Sequence, residues 1–486
     1  MESKIYAYNT HYEIIDYELG EFPKLEKDLS LWDDVNHKVI PKYYYDENTK
    51  IFYVPKGYDP NILSDHYKSF IDFKLDCPTS MKKVNFTLQS FPRNSAQKEA
   101  VRFLSGKNEY SYLHGDSQQV LSMPPGEGKT YCTISALSLL GYRSMVIVNT
   151  CTLRDQWHSA FLEYTELNES SIKDLTSVTE IEKLIMPKNK RKLNGVVSFL
   201  VTHDTLRCYM KKHGILSLNG MCDALQIGVK VIDEAHLEYS NTLIVDYATN
   251  VWKTIYLTAT FARSDNGDNK IFQKSFNMIH KLRIESESKR RHVIYMPYIY
   301  KTKPSAAEVV KIRGVKGFDK YKYSDYEFES GKMLDVLERL LRLFIEKQQL
   351  EGKIVLLSSK KESCDTLKRF VEKLYPAYSS CVYYTGNKRD DFKEFGVICA
   401  TPKMLGTAID IPGLRVVINL EPTRSTVNTT QIFGRLREFA PDKDTYYIEL
   451  VDKAFPSVWD MYKVRLKFLS TVVKETRCID ETVIRY

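Results

Sequence analysis

The sequence predicts an α/β protein with two tandem domains on parallel sheets, preceded by a small N-terminal α+β module. Three observations carry that prediction. Short apolar runs that end in polar motifs recur through the middle of the chain, as at the C-terminal ends of buried parallel strands. The same pattern restarts near residue 352. The length, 486 residues, exceeds what one hydrophobic core usually serves. The pattern sets boundaries at 1–85 for the N-terminal module and 86–285 for the first α/β domain. A linker or insert follows over 286–335, then a second α/β domain over 336–455 and a C-terminal helix within 456–486.

In the first domain, Val120, Leu121 and Met123 close an apolar run. Pro125, Gly126, Glu127 and Gly128 follow, then Lys129 and Thr130, then a helical run over 131–140. Glycines let backbone N–H groups turn onto an anion, and the helix N-terminus adds a favourable dipole. Lys129 would reach the β- and γ-phosphates of a nucleotide, and the Thr130 hydroxyl would hold Mg²⁺. About a hundred residues later the run Val229–Ile232 ends in Asp233-Glu234-Ala235-His236. That acidic pair offers one carboxylate to the metal and a second to the attacking water. Taken singly, the glycine loop also occurs in kinases and transporters, and Asp233 could be an ordinary helix N-cap. Together the two motifs predict nucleotide hydrolysis.

The elements between and after them keep the order strand, polar motif, helix. Ser144–Val148 leads into Asn149 to Trp157, which opens a helix. A strand over 196–201 leads to Thr202-His203-Asp204, and one over 254–257 leads to Thr258-Ala259-Thr260. In the second half, strands are predicted over 353–357, 381–385, 397–400 and 414–420, with a helix over about 362–374. A helix over 429–438 would carry Gln431, Gly434, Arg435 and Arg437. This half has no phosphate loop of its own. It could face the first domain across a cleft and supply arginines to the γ-phosphate; otherwise Arg435 and Arg437 are a solvated helix face.

Composition excludes several classes. Hydrophobic content of 43% and charged content of 27% are those of a globular chain, not a disordered one. A net charge of +8 is compatible with a polyanionic partner without requiring one. The nine cysteines show no C-x-x-C spacing and no cluster with histidine, so reduced thiols and no zinc site are expected. No signal-like N-terminus and no run of ~20 apolar residues is present, so an intracellular chain without a membrane span is expected. Nothing demands more than a monomer.

At this point the residues resemble superfamily-two DEAH/DExH-box helicases over roughly 90–455. The motifs stand in family order: Gln97 within Pro92 to Lys98, Gly126 to Thr130, Asn149 to Trp157, Thr202-His203, Asp233 to His236, Thr258 to Thr260, Ser358-Ser359, Thr401 to Asp410, and Gln431 to Arg437. The resemblance implies two RecA-like domains, ATP with Mg²⁺ in the cleft between them, and nucleic acid tracking across both. It implies that Gln97 reads adenine and that Pro125 to Thr130 and Asp410 line the ATP site. Thr130 and Asp233 would hold the metal, and Glu234 would activate water. His236, Thr258 and Thr260 would couple hydrolysis to movement, while Gln431, Arg435 and Arg437 complete the catalytic set. Thr150, Arg154, Thr202 and Thr401 sit where the family grips the strand. The segment Leu257 to Asp265, with Arg263, looks like that of XPB-like and phage helicases. The stretch Pro41 to Pro55 is similar to the N-terminal module of phage UvsW-type helicases. Two departures stand out: Met123 replaces a small residue, and the second arginine, Arg437, comes one position early, a helical rotation of about 100°.

The N-terminal module interleaves Tyr43, Tyr44, Tyr45, Phe52, Tyr53 and Tyr58 with Lys38, Lys42, Lys50 and Lys56. Aromatics and lysines together suit base stacking and phosphate contact, with Tyr44 and Lys42 as the leading candidates, although one strand face must also be core. Lys316, Lys320, Tyr321, Lys322 and Tyr323 lie in a stretch, about 302–330, read as a solvated linker. The helix from Pro456 is read as packing. The function expected is an ATP-driven helicase or translocase on branched DNA, a sequence-independent nucleic-acid partner. The alternatives are a nucleotide-gated clamp or transcript-release factor, and an RNA helicase.

Overall fold

The computed structural model describes residues 4–33, 37–74, 80–106, 117–124, 126–258, 266–284, 292–314, 317–384, 390–402, 411–421, 429, 432–440 and 442–483. The chain divides into two compact units, Met1–Glu287 and Ser288–Tyr486. No helix among the described residues is long and apolar enough to cross a membrane.

The first unit begins with β1 (Ile5–Ala7), β2 (His11–Ile14), the hairpin strands β3 (Ser30–Asp33) and β4 (Lys38–Pro41), β5 (Tyr44–Asp46), β6 (Ile51–Pro55) and β7 (Ile71–Phe73). Five of these form a mixed sheet in the order β5-β6-β2-β1-β7, in which only β1 and β7 run parallel. Side chains alternate across a strand. On β6, Phe52 and Val54 enter the module's own core with Ile5, Ile14 and Leu25. Tyr53, between them, packs into the core of the following domain, and Tyr44, its cross-strand partner, packs against that same core. Both faces of the hairpin are therefore occupied. Tyr44 and Lys42, expected to form a base-stacking surface, are half-buried, and their contacts run to the following domain. Lys42 Nζ donates to Ser240 Oγ at 3.0 Å and lies 5.6 Å from the Tyr239 ring.

The second sheet of this unit contains β8 (Gln118–Ser122), β9 (Ser144–Val148), β10 (Ile172–Leu175), β11 (Ser198–Thr202), β12 (Val229–Ile232), β13 (Lys253–Thr258) and β14 (His280–Arg283). Its order is β10-β11-β9-β12-β13-β8-β14, parallel throughout. Every residue of β8, β9, β11, β12 and β13 is buried. Helices on both faces of a parallel sheet demand this, so these strands read as continuous apolar runs. Polar residues buried among them need partners, and Lys230 on β12 has them. Its ammonium is fully buried on Asp246 (2.6 Å) and Thr249 Oγ1 (2.9 Å), while Tyr256 donates to the other Asp246 oxygen at 2.7 Å. His11 of the N-terminal sheet meets the Asp246 carbonyl at 3.2 Å, tying the module to this network.

The second unit is also a parallel α/β sheet. Its strands include β15 (Val293–Tyr300), a minor hairpin of β16 (Arg313–Gly314) and β17 (Gly317–Phe318), β18 (Lys353–Leu357), β19 (Ser380–Tyr383), β20 (Val397–Ala400), β21 (Leu414–Asn419), β22 (Thr445–Asp452), β23 (Glu475–Thr476) and β24 (Ile479–Asp480). The order is β19-β20-β18-β21-β22-β15-β23, with β24 also on β15. The segment expected to be a linker, 286–335, instead supplies β15, which pairs with β22 over its full length. Nor is 302–330 irregular: helices Ala306–Ile312 and Lys320–Ser330 form there, the second capped by Asp319, with Tyr323 fully buried. Tyr323 is one of four Lys/Tyr positions between 320 and 323, and a helix period buries it while exposing the lysines. The helix Pro456–Leu469 packs by Val458, Tyr462 and Leu469, and its buried Arg465 pairs with Glu449 on β22.

Candidate active site

The phosphate loop lies between β8 and the helix Lys129–Leu140. Gly126 and Gly128 take φ of 84° and 95°, a region costly for any residue with a Cβ. At Gly128 there is also no room: a Cβ would sit 2.5 Å from Gln97 Nε2. Gln97 is almost completely buried on the helix Ser95–Ser105. Its Nε2 donates to the Glu127 carbonyl at 2.9 Å, and its Oε1 accepts the Arg93 N–H at 2.9 Å. The Gln97 amide, expected to read adenine, here clamps the loop. Thr130 is the second residue of the loop helix and half-buried. Pro125 lies outside the described residues.

The acidic motif leaves the C-terminal end of β12, beside the loop. Lys129 Nζ meets Glu234 Oε1 at 3.1 Å, so the two motifs touch across about a hundred residues of sequence. Asp233 is buried with both oxygens engaged. Its Oδ1 accepts the Glu234 N–H at 2.9 Å, and its Oδ2 accepts the Trp157 indole N–H at 2.9 Å. Burial, and then the adjacent Glu234 charge, push the Asp233 carboxyl up to about 6, with Lys129 pulling the other way. Glu234 itself takes φ of 48°, which costs a non-glycine residue roughly 1–2 kcal/mol. Such strain persists where the surroundings over-determine it, commonly at reactive sites. His236 Nδ1 lies 2.9 Å from Thr258 Oγ1 and 3.4 Å from Glu234 Oε2. The acidic motif and the end of β13 are therefore joined through one imidazole. Thr260 lies outside the described residues.

The chemistry fits a divalent cation. Two carboxylates and one ammonium converge in a buried site, and a cation would relieve the repulsion between Asp233 and Glu234. Among the described residues no group of three or more Asp, Glu, His or Cys forms a complete cage. Mg²⁺ does not ask for one, since it binds through one or two side chains plus phosphate and water.

The residues expected to grip a strand are more deeply used than anticipated. Thr150 caps the helix Cys151–Tyr164 by accepting the Leu153 N–H at 3.2 Å. Thr202 is buried and caps the helix His203–His213 through the Thr205 N–H at 3.2 Å. Arg154 is held by Asp155 at 2.9 Å and Asp174 at 4.0 Å, with 13% of its side chain exposed. Thr401 is half-buried just past β20. Arg263, Asp410 and Gln431 lie outside the described residues. Around Arg435 the helix expected over 429–438 gives way to a turn. The Arg435 and Leu436 N–H groups bond three residues back, to Ile432 and Phe433, each at 3.0 Å. Arg437 is exposed beyond that turn, so the predicted one-position helical offset has no helix to act on.

Three residues were given no individual role by the sequence. Asn149 and His203 follow the paired ends of β9 and β11, and their side-chain polar atoms are buried without hydrogen-bond partners among the described residues. Phe91, six residues before Gln97, is 91% exposed. Their signal was position, Asn149 and His203 inside named motifs and Phe91 just before one, which alone does not distinguish a ligand contact from a loop.

Residues 90–263 match the family described as ResIII, Type III restriction enzyme, res subunit. None of the curated proteins matches the chain. Among solved structures, S. cerevisiae Dbp5 bound to RNA and ADP BeF3 is similar, with a TM-score of 0.54 at 14% identity over 80% of this chain and 90% of that one. The crystal structure of T4 UvsW aligns over 99% of this chain and 100% of that one at 16% identity, with a TM-score of 0.37. The fold is that of two RecA-like domains with parallel sheets and a mixed N-terminal sheet. With the phosphate loop and acidic strand end inside the matched segment, the chain is an ATP-hydrolysing enzyme.

Proposed function

We propose that the chain is a nucleic-acid-stimulated ATPase motor that remodels branched DNA such as forks and junctions. The observation that carries the motor reading is the chain of contacts Lys129–Glu234–His236–Thr258, which ties the phosphate loop and the acidic motif to the end of β13. The loop N–H groups and Lys129 would hold the β- and γ-phosphates, and Thr130 and Asp233 would hold Mg²⁺. When bound, the metal supplies charge neutralisation at the phosphates. Glu234 is the general base for water. Its Oε1 rests on Lys129, and phosphate at Lys129 competes for that ammonium and frees the carboxylate. His236 then carries the change at Glu234 to Thr258.

Asn149 and His203, buried and unpartnered where β9 and β11 end, support a polar occupant at that edge, as a phosphate backbone would be. Branched DNA as the preferred form rests on the resemblance of the Arg263 segment and of the N-terminal module. The likeness to Dbp5, whose structure holds RNA, makes RNA the second substrate to test.

The test is ATP hydrolysis by the wild type and Glu234→Gln, with no nucleic acid, single-stranded DNA, forked DNA, a four-way junction or RNA. Stimulation greatest with forks or junctions, and lost in the variant, is expected. Stimulation greatest with RNA would move the substrate, and no stimulation by any of them would refute the motor.

A further inference from the structure

Trp157 has no part in the chemistry just described, yet its indole N–H reaches the reacting site. It lies on the helix Cys151–Tyr164 and is 1% exposed. The helix needs only an apolar side chain there, as Leu153 and Phe161 supply one turn to either side. A buried indole adds a donor that must be satisfied, and it is satisfied by Asp233 Oδ2 at 2.9 Å. The other carboxylate oxygen accepts the Glu234 N–H at 2.9 Å, and the Asp233 N–H itself donates to the Ile147 carbonyl at 2.9 Å. Side chain and backbone of Asp233 are thus fixed by three hydrogen bonds. Each carboxylate oxygen keeps a second lone pair, so a metal can still bind.

The same helix is capped by Thr150, beside the C-terminal ends of β9 and β11 where the side-chain polar atoms of Asn149 and His203 lie unpartnered among the described residues. Thr150 and Trp157 are seven residues, about 10 Å, apart along the axis. A helix moves as a rod over two turns, so displacement at its N-terminus arrives at the indole largely undiminished. A hydrogen bond is sensitive to shifts of a few tenths of an ångström and to its angle.

We propose that Trp157 is a positioning residue: its indole N–H orients Asp233 for the metal and makes the helix Cys151–Tyr164 the link between a nucleic-acid strand at Thr150 and the ATP site. This rests on the motor reading above. It assigns the link to one hydrogen bond, where the His236–Thr258 contact runs to a different strand.

The experiment measures, for the full chain as wild type, Trp157→Phe and Phe161→Leu, the Mg²⁺ dependence of binding of a non-hydrolysable ATP analogue by titration, and ATPase activity against Mg²⁺ concentration with and without single-stranded DNA. Trp157→Phe keeps an aromatic plane and removes the donor. Phe161→Leu loosens the same helix without touching Asp233. In Trp157→Phe, the Mg²⁺ needed for half-maximal binding and rate should rise about 10- to 100-fold, the usual effect of losing an outer-shell partner. The ratio of stimulated to basal rate should fall towards one. Phe161→Leu should keep both values. Replacement of Trp157 by benzothienylalanine, the same shape with sulfur for N–H, should reproduce the Trp157→Phe result, and it keeps the test alive if that variant fails to fold. Wild-type values of either the Mg²⁺ requirement or the ratio, in a folded protein lacking the N–H, would overturn the proposal. A wild type that no nucleic acid stimulates would instead refute the motor reading.

Discussion

Lys56, just after β6, is 8% exposed, and its ammonium has no hydrogen-bond partner among the described residues. Its nearest polar compensation is the faces of Tyr12 and Phe73, 4.7 and 5.8 Å away. Burial pulls the group from 10.5 down to about 7. A lowered base destabilises the fold wherever the unfolded chain is protonated and the folded chain must accept the same charge. The penalty is therefore full below pH 7, shrinks between 7 and 10.5, and is gone above. A fall from 10.5 to about 7 corresponds to about 5 kcal/mol. Lys56→Met removes that penalty but also forfeits two cation–π contacts, each about 0.5–2 kcal/mol. A net gain of about 1–4 kcal/mol at pH 6 is expected. Urea unfolding of wild type and variant from pH 5 to 10 would measure it, following the transition of the first unit. The advantage should decline steadily above pH 7. A variant less stable at pH 6, or an advantage still undiminished at pH 10, would refute the argument from buried charge.

Three further outcomes follow from the same reasoning. Lys230→Met should cost about 3–5 kcal/mol, because Asp246 is left charged and buried without its partner; thermal unfolding reads this, and a neutral result would mean water reaches that network. Gly128→Ala should abolish ATP binding more completely than Gly126→Ala, since both carry positive φ but only the first Cβ meets Gln97; equal losses by nucleotide titration would contradict this. Phe91→Ala should leave thermal stability nearly unchanged, because an aromatic that is 91% exposed contributes little to the core; a clear fall in melting temperature would contradict this.

The sequence displayed what depends on local pattern. Buried parallel strands read as apolar runs, so β9, β12, β18 and β20 coincide with their predicted spans. The phosphate loop was equally visible, since its glycines serve backbone geometry. What was hidden depends on partners far along the chain. Tyr44 and Lys42 have the composition of a nucleic-acid surface, and only the domain packed against them shows that they are an interface. Val293–Tyr300 was assigned to a linker because its neighbour in the sheet, β22, lies about 150 residues away. Trp157 stood in a recognised motif, but the sequence could not show that its N–H finds Asp233. Past Phe433 the helical period persists in the residues while the backbone turns, so Arg435 and Arg437 leave the geometry assigned to them.

The position of β15 also bears on how this protein is made. It is the first strand of its sheet to leave the ribosome, yet its neighbours are translated much later: β22 on one side about 150 residues on, β23 with β24 on the other about 180 residues on. At about 5–20 residues per second, an apolar strand waits on the order of ten seconds or more with both edges open. The first unit has its sheet complete by Arg283 and can fold meanwhile. Val293–Tyr300 is thus the segment most exposed to mispairing during synthesis, and chaperone dependence should concentrate there.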